Sequence, residues 1–81
     1  MYTLQDYESK VKEYIEWYWP LKKQYKLRSA DDILSKVGIE AQKELENWQE
    51  ELAKMEQSLK LTPKKAKVIY NGLVVAQAVF S

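Results

Sequence analysis

The 81 residues of this chain are enough for one hydrophobic core and too few for two, and 13 basic against 12 acidic residues leave a net charge of +1. The chain contains neither Cys nor His, which excludes disulfide bonds, thiolate or imidazole metal ligands, Cys nucleophiles and His bases. Apolar residues make up 46% of the sequence, and there are only two Gly and two Pro, which is typical of a folded helical protein. We therefore predict a single helical domain over residues 1–81.

The first predicted helix begins after Thr3, because Thr3 and Asp6 have the spacing of a capping box. Apolar and aromatic residues then recur at alternating spacings of three and four, which is typical of one buried helix face. Pro20 interrupts this pattern, but the stripe continues beyond it, so one kinked helix is favoured over two separate helices. The stripe consists of Leu4, Tyr7, Val11, Tyr14, Tyr18, Leu21 and Tyr25, widened by Ile15 and Trp19.

A short second helix and a long third helix are predicted next. Ser29 and Asp32 resemble another capping box, and Gly38 is predicted to end the short helix. The third helix is predicted from about residue 39 to residue 60. At 1.5 Å per residue it is about 30 Å long, the same length as the first helix. Two helices of matching length predict an antiparallel hairpin. Its apolar stripe consists of Ala41, Leu45, Trp48, Leu52, Met55 and Leu59.

The last segment is predicted to be a fourth helix. It opens with Thr62-Pro63, a cap residue followed by proline at the first helical position. A β-hairpin is the competing interpretation, because Asn71-Gly72 between two β-branched runs is a strong turn signal. The heptad spacing favours the helix, so the predicted fold is all-α, a small antiparallel bundle of three main helices plus one short connecting helix. The stripe of the fourth helix consists of Ala66, Ile69, Leu73, Ala76 and Phe80.

Neither a secretory signal nor a membrane span is expected. The longest uncharged stretch, Val68 to Ser81, has 14 residues, whereas a span needs about 18. We expect a cytoplasmic protein without a cofactor.

Pairs of glutamates on the third helix are the visible candidates for acid–base or metal chemistry. Glu40 with Glu44, and Glu46 with Glu50, lie four residues apart and could hold a cation or act as acid and base. Both pairs lie off the apolar stripe and beside lysines, so we interpret them as a solvated face. We expect no catalytic residue, no metal site and no enzyme activity.

The run Trp17-Tyr18-Trp19-Pro20 is a candidate interface. Three consecutive rings cannot all face one stripe, because a helix turns about 100° per residue, so at least one ring is expected to be exposed. Exposed aromatic residues beside cations are typical of binding hot spots. The alternative is that Trp17 packs beneath the short second helix. The candidate partner-binding residues are Trp17, Trp19, Lys22, Lys23, Tyr25 and Lys26.

The uncharged fourth helix carries apolar residues on more than one edge. So small a domain has too few elements to surround such a helix, so we expect it to be shared with another chain. A homodimer or higher oligomer is predicted to form through Val68, Gly72, Val75 and Val79, and Gly72 would allow a neighbouring helix to approach closely.

No motif in the sequence identifies a family. The best interpretation is a non-enzymatic protein–protein interaction module with a partner of unknown identity, such as a small viral or mobile-element accessory protein or an inhibitor that occludes a partner's site. The alternative is a nucleic-acid-associated accessory factor that uses the basic segment from Lys22 to Arg28. A second basic cluster, from Lys60 to Lys67, is expected at the opposite end of the hairpin, whereas a nucleic-acid-binding protein gathers its cations on one face.

Overall fold

A computed structural model describes residues 1–80 of the chain, and it contains no strand in that range. Its helices are α1 (Leu4–Tyr25), α2 (Asp32–Lys36), α3 (Ile39–Ser58) and α4 (Pro63–Phe80). The predicted all-α fold, with three long helices and one short helix, is therefore confirmed.

Helix α1 begins at the predicted capping box. The backbone N–H of Asp6 donates to the Thr3 hydroxyl at 3.1 Å, and the backbone N–H of Thr3 donates to the Asp6 carboxylate at 2.9 Å. The helix then continues through Pro20 without a break, so the interpretation as one helix is confirmed. Lys26 caps its C-terminal end, and the left-handed backbone of Lys26 (φ 55°, ψ 49°) turns the chain so that the N–H of Leu27 also donates to the carbonyl of Lys22, at 3.1 Å.

Helix α2 begins differently from the prediction. Its first residue is Asp32, and the Asp32 carboxylate accepts a hydrogen bond from the backbone N–H of Arg28 at 2.9 Å. The predicted capping box at Ser29 is therefore wrong, because the Asp32 carboxylate closes the preceding turn instead. Gly38 ends this segment with φ 138° and ψ 177°, a backbone conformation that is almost exclusive to glycine, and its N–H donates to the carbonyl of Ile33 at 3.0 Å.

Helices α3 and α4 are joined by a tight turn in which Lys60 has φ 55°. Helix α4 begins at Thr62-Pro63 as predicted, with the Thr62 hydroxyl accepting a hydrogen bond from the backbone N–H of Lys65 at 3.2 Å. The helix runs unbroken through Asn71-Gly72, so the competing hairpin interpretation is wrong. Gly72 lies on the exposed side of α4, where the missing side chain removes nothing from the core.

Helix α1 is the centre of the structure, because α3 and α4 both pack on it while α2 packs on α3. The predicted antiparallel arrangement of α1 and α3 is confirmed by two hydrogen bonds at opposite ends of the pair, from Tyr7 to Glu56 and from Trp17 to Glu44. The buried core consists of Tyr7, Val11, Tyr14, Ile15, Tyr18, Leu27, Ile33, Leu45, Leu52, Met55 and Ala66.

The two ends of the predicted α1 stripe lie outside this core. Leu4 and Tyr25 are exposed, and the space beyond Tyr18 is filled by Leu27 and Ile33, which are almost completely buried. The chain folds back after α1, so Leu27 of the connection and Ile33 of α2, rather than the end of the stripe, close this side of the core. No helix within residues 1–80 is long and apolar enough to cross a membrane.

Candidate interaction surfaces

The Trp17 side chain packs against α3 rather than facing solvent. Its indole N–H donates to a carboxylate oxygen of Glu44 at 3.0 Å, and its ring centroid lies 6.3 Å from that of Trp48. The suggested packing of Trp17 beneath α2 is therefore wrong. The expectation of an exposed ring in this run is also wrong, because Tyr18 is buried and both Trp17 and Trp19 are half-buried. Neighbouring segments lie on several sides of this part of α1, so rings that point in different directions are each at least partly covered.

An aromatic cluster centred on Tyr14 joins the three long helices. The Tyr14 ring centroid lies 6.0 Å from that of Trp48 on α3 and 6.2 Å from that of Tyr70 on α4. Burial raises the pKa of Tyr14 to about 12, with smaller contributions from Tyr70 and Tyr18. Burial also raises the pKa of Tyr70. These phenols therefore stay protonated at neutral pH, which suits a structural role rather than acid–base chemistry.

Tyr7 connects α1 to the C-terminal end of α3. Its hydroxyl donates to a carboxylate oxygen of Glu56 at 3.1 Å. Burial raises the pKa of Tyr7 to about 12, and the negative charge of Glu56 adds to the effect. Since the protonated phenol is both buried and hydrogen-bonded, this contact stabilises the helix pair.

The remaining predicted partner-binding residues lie at the C-terminal end of α1. The Lys22 ammonium lies 4.9 Å from the centroid of the Trp19 ring, in the geometry of a cation–π contact, while Lys23, Tyr25 and Lys26 are exposed. The C-terminal end of α1 therefore carries lysine side chains beside the aromatic ring of Trp19. Trp19, Lys22 and Arg28 also line a cleft of about 330 Å³ between α1, α4 and the segment before α2. The indole N–H of Trp19 is buried and finds no acceptor among residues 1–80.

The second basic cluster lies at the opposite end of α1. Glu8 of α1 and Val68 of α4 line the same recess, which places the start of α4 beside the start of α1. The lysines from Lys60 to Lys67 are therefore separated from the segment Lys22 to Arg28 by most of the length of α1, a helix of about 33 Å at 1.5 Å per residue. The two clusters do not form one continuous basic face.

The α3 glutamates lie on a solvated face. Glu44 is bound to Trp17, Glu46 accepts from the Gln42 amide at 3.4 Å, and Glu50 pairs with Lys54 at 3.6 Å. Within residues 1–80 no three acidic side chains come close enough together to hold a metal ion.

The four predicted self-association residues lie together on the outer face of α4. Val68, Val75 and Val79 are 65%, 62% and 72% exposed, and Gly72 is exposed between them. Within residues 1–80, and apart from its two chain neighbours and the nearby backbone of α4, no atom lies within 4 Å of the position that a Cβ on Gly72 would occupy. We call these four residues the α4 valine face. The opposite side of α4 packs on the core through Ala66, Ile69, Tyr70, Leu73 and Val74.

The predicted self-association residues therefore lie together in the structure, whereas the predicted partner-binding residues do not form one surface. The α4 valine face is a contiguous surface, whereas Trp17 is separated from the basic end of α1 by its packing on α3. Sequence reasoning did not identify Tyr70 as a core aromatic residue, although it lies one position from Ile69 of the predicted stripe.

No family model matches this chain, and neither a curated protein nor a solved structure is significantly similar to it.

Proposed function

We propose that this chain is a non-enzymatic protein–protein interaction module and that the α4 valine face is its binding surface. The observation that carries the proposal is the exposure of Val68, Val75 and Val79 on one side of an otherwise packed helix. Burying a valine side chain is worth about 1.5–3 kcal/mol, so leaving three of them in water forgoes a large part of the stabilisation available to so small a domain. Contiguous apolar surface of this kind typically marks an interaction site.

The chemistry of the remaining surface supports a binding role. The chain has no Cys or His, its most strongly perturbed phenols are protonated at neutral pH, and the α3 glutamates face solvent or pair with neighbours. A module of this type acts by occupying a surface of its partner, as a small accessory protein or inhibitor does.

Nucleic-acid binding is the second candidate function. Its support is that Lys23, Lys26 and Arg28 are exposed at one end of α1. The half-burial of Trp19 beneath Lys22 limits the ring surface that a base could stack on, and the second basic cluster lies too far away to contact the same few phosphates.

Site-specific photo-crosslinking tests the proposed binding surface. A photoreactive amino acid is placed at Val75, and as a matched control at Ala53, an exposed position on α3 outside the valine face. In cells that naturally make the protein, we expect defined protein adducts from position 75 and none of the same adducts from position 53. Equal or absent crosslinking at the two positions would contradict the proposal.

A further inference from the structure

We infer that the α4 valine face binds the same face of a second copy of this chain, so that two α4 helices pack antiparallel across a twofold axis. This inference rests on the proposed function and names its partner.

The spacing of the valine face fits a helix–helix contact. Val68, Gly72, Val75 and Val79 are separated by four, three and four residues, which is the repeat that keeps one seam facing a partner helix. In the antiparallel register, Val68 lies opposite Val79 of the second copy and Gly72 lies opposite Val75. The open space above Gly72 can then receive the Val75 side chain of the other copy.

The charge distribution of α4 favours an identical partner. From Val68 to Phe80 the helix has no charged residue, so the seam itself carries no charge that would repel the same seam of a second copy, and Glu8 of α1 lies at its edge beside Val68 and Gly72. An uncharged seam of this kind is complementary to itself under twofold symmetry.

The same distribution favours the antiparallel orientation. All charged residues of α4 are lysines in its first turns: Lys64, Lys65 and Lys67. A parallel pair would bring both lysine sets together. An antiparallel pair keeps the two lysine sets at opposite ends of the contact, where they do not repel each other.

The size of the face predicts a weak dimer. The seam from Val68 to Val79 is about 17 Å long at 1.5 Å per residue. Such a contact buries less than the roughly 800 Å² per partner of a typical stable interface, so we expect a dissociation constant above about 1 µM.

Sedimentation equilibrium tests whether the dimer forms. Between about 10 µM and 1 mM, a range that brackets weak association, the weight-average mass of the wild type should rise from that of one chain towards about twice that value. Val75→Glu should remain a monomer throughout the range, whereas Ala53→Glu, with the same added charge on α3, should behave like the wild type. Circular dichroism confirms that both variants are folded. A wild type that stays monomeric at the highest concentration would overturn the inference.

Disulfide trapping tests the orientation and does not depend on the glutamate variants. The chain has no Cys, so Val68→Cys and Val79→Cys each introduce a single thiol. In the antiparallel dimer, two copies of position 68 lie about 17 Å apart along the helices, beyond the reach of a disulfide. A mixture of the two variants in a glutathione buffer should therefore form the mixed disulfide several-fold more than either variant forms its own disulfide. Efficient pairing of each variant with itself would overturn the antiparallel arrangement.

The two proposals can fail separately. A monomeric wild type whose position 75 crosslinks to a different protein overturns the inference and leaves the proposed function standing. A monomeric wild type without crosslinks at that position contradicts both.

Discussion

The indole N–H of Trp17 on α1 donates to a carboxylate oxygen of Glu44 on α3 at 3.0 Å, while the indole ring lies beside the rings of Tyr14 and Trp48. One side chain therefore contributes a hydrogen bond and an aromatic contact to the same helix pair. We conclude that Trp17 stabilises the hairpin of α1 and α3, whereas Trp19 lines the cleft between α1, α4 and the segment before α2.

This packing predicts a stability loss when the ring is removed. Trp17→Ala should lower the free energy of unfolding by about 1–3 kcal/mol, less than the 3–5 kcal/mol of a fully buried tryptophan because the side chain is half-buried. Glu44→Gln, which keeps an acceptor for the indole N–H, should cost less than about 1 kcal/mol. Urea denaturation monitored by circular dichroism gives both values. A loss below about 0.5 kcal/mol for Trp17→Ala would mean that the ring contributes no more than a surface residue.

The α3 stripe provides a direct test of the core. Leu52→Ala should lower the free energy of unfolding by about 2–5 kcal/mol, because Leu52 is only 8% exposed and its removal leaves a cavity. Leu34→Ala removes the same atoms from a side chain that is 52% exposed, and should cost clearly less. Chemical denaturation of the two variants side by side measures the difference. Equal losses would show that Leu52 does not belong to the core.

The helices could be predicted because their signals are local. The capping box at Thr3 and Asp6 lies within four residues, and so does the Thr62-Pro63 start of α4. Heptad spacing likewise depends only on the geometry of a single helix. These signals identified the three long helices, and the continuity of the stripe correctly favoured one helix through Pro20.

The direction in which large side chains turn could not be predicted in the same way. Periodicity placed Tyr25 in the core and Trp17 outside it, but the fold-back after α1 buries Leu27 instead of Tyr25, and α3 covers Trp17. Both outcomes depend on how separate elements meet. The side of α4 that packs on the core is rotated from the predicted stripe towards Tyr70, because the Tyr70 ring lies against the Tyr14 ring. Ala76, which belongs to the predicted stripe, is therefore exposed.

The two glycines should respond in opposite ways to alanine. Gly38→Ala should destabilise the fold by about 1–3 kcal/mol, because φ 138° with ψ 177° is strained for any residue with a Cβ, although no described atom beyond its two chain neighbours lies within 4 Å of the added methyl. Gly72→Ala lies inside α4 with the same open space, and should stabilise the monomer by about 0.4–1 kcal/mol.

Thermal or urea unfolding at low protein concentration, where self-association does not contribute, compares the two variants. Destabilisation by Gly72→Ala under these conditions would show that the helix is not continuous at this position.

Salt dependence separates the protein-binding proposal from the nucleic-acid alternative. If the segment from Lys22 to Arg28 binds phosphates, the affinity for an oligonucleotide should fall with salt at a log–log slope of about −0.9 per phosphate contacted on duplex DNA. Reversing the charges of Lys22, Lys23 and Lys26 should then abolish binding, and reversing those of Lys64, Lys65 and Lys67 should have a smaller effect. Fluorescence anisotropy between about 50 and 200 mM salt provides the measurement. We expect no salt-dependent complex, and a steep slope that disappears in the first variant would instead support the nucleic-acid function.

The buried phenols predict how stability depends on pH. Burial raises the pKa of Tyr14 from 10.0 to about 12, so the folded chain keeps this proton at a pH where the unfolded chain has lost it. The stabilisation is therefore fully present below about pH 10 and is lost as the pH rises from about 10 towards 12. The raised pKa of Tyr7, caused by burial and then by Glu56, acts in the same direction over the same range.

Urea midpoints measured from pH 8 to about pH 11.5 test this linkage, and Tyr14→Phe isolates one phenol. The wild type and Tyr14→Phe contain the same lysines, so the difference between their two pH profiles removes the contribution of those amines. We expect the wild type to lose stability more steeply above about pH 10 than Tyr14→Phe does, because the variant has one fewer proton to lose on unfolding. Parallel profiles would mean that the Tyr14 phenol titrates alike in the folded and unfolded chains, and that its ring is more accessible to water than the cluster with Trp48 and Tyr70 implies.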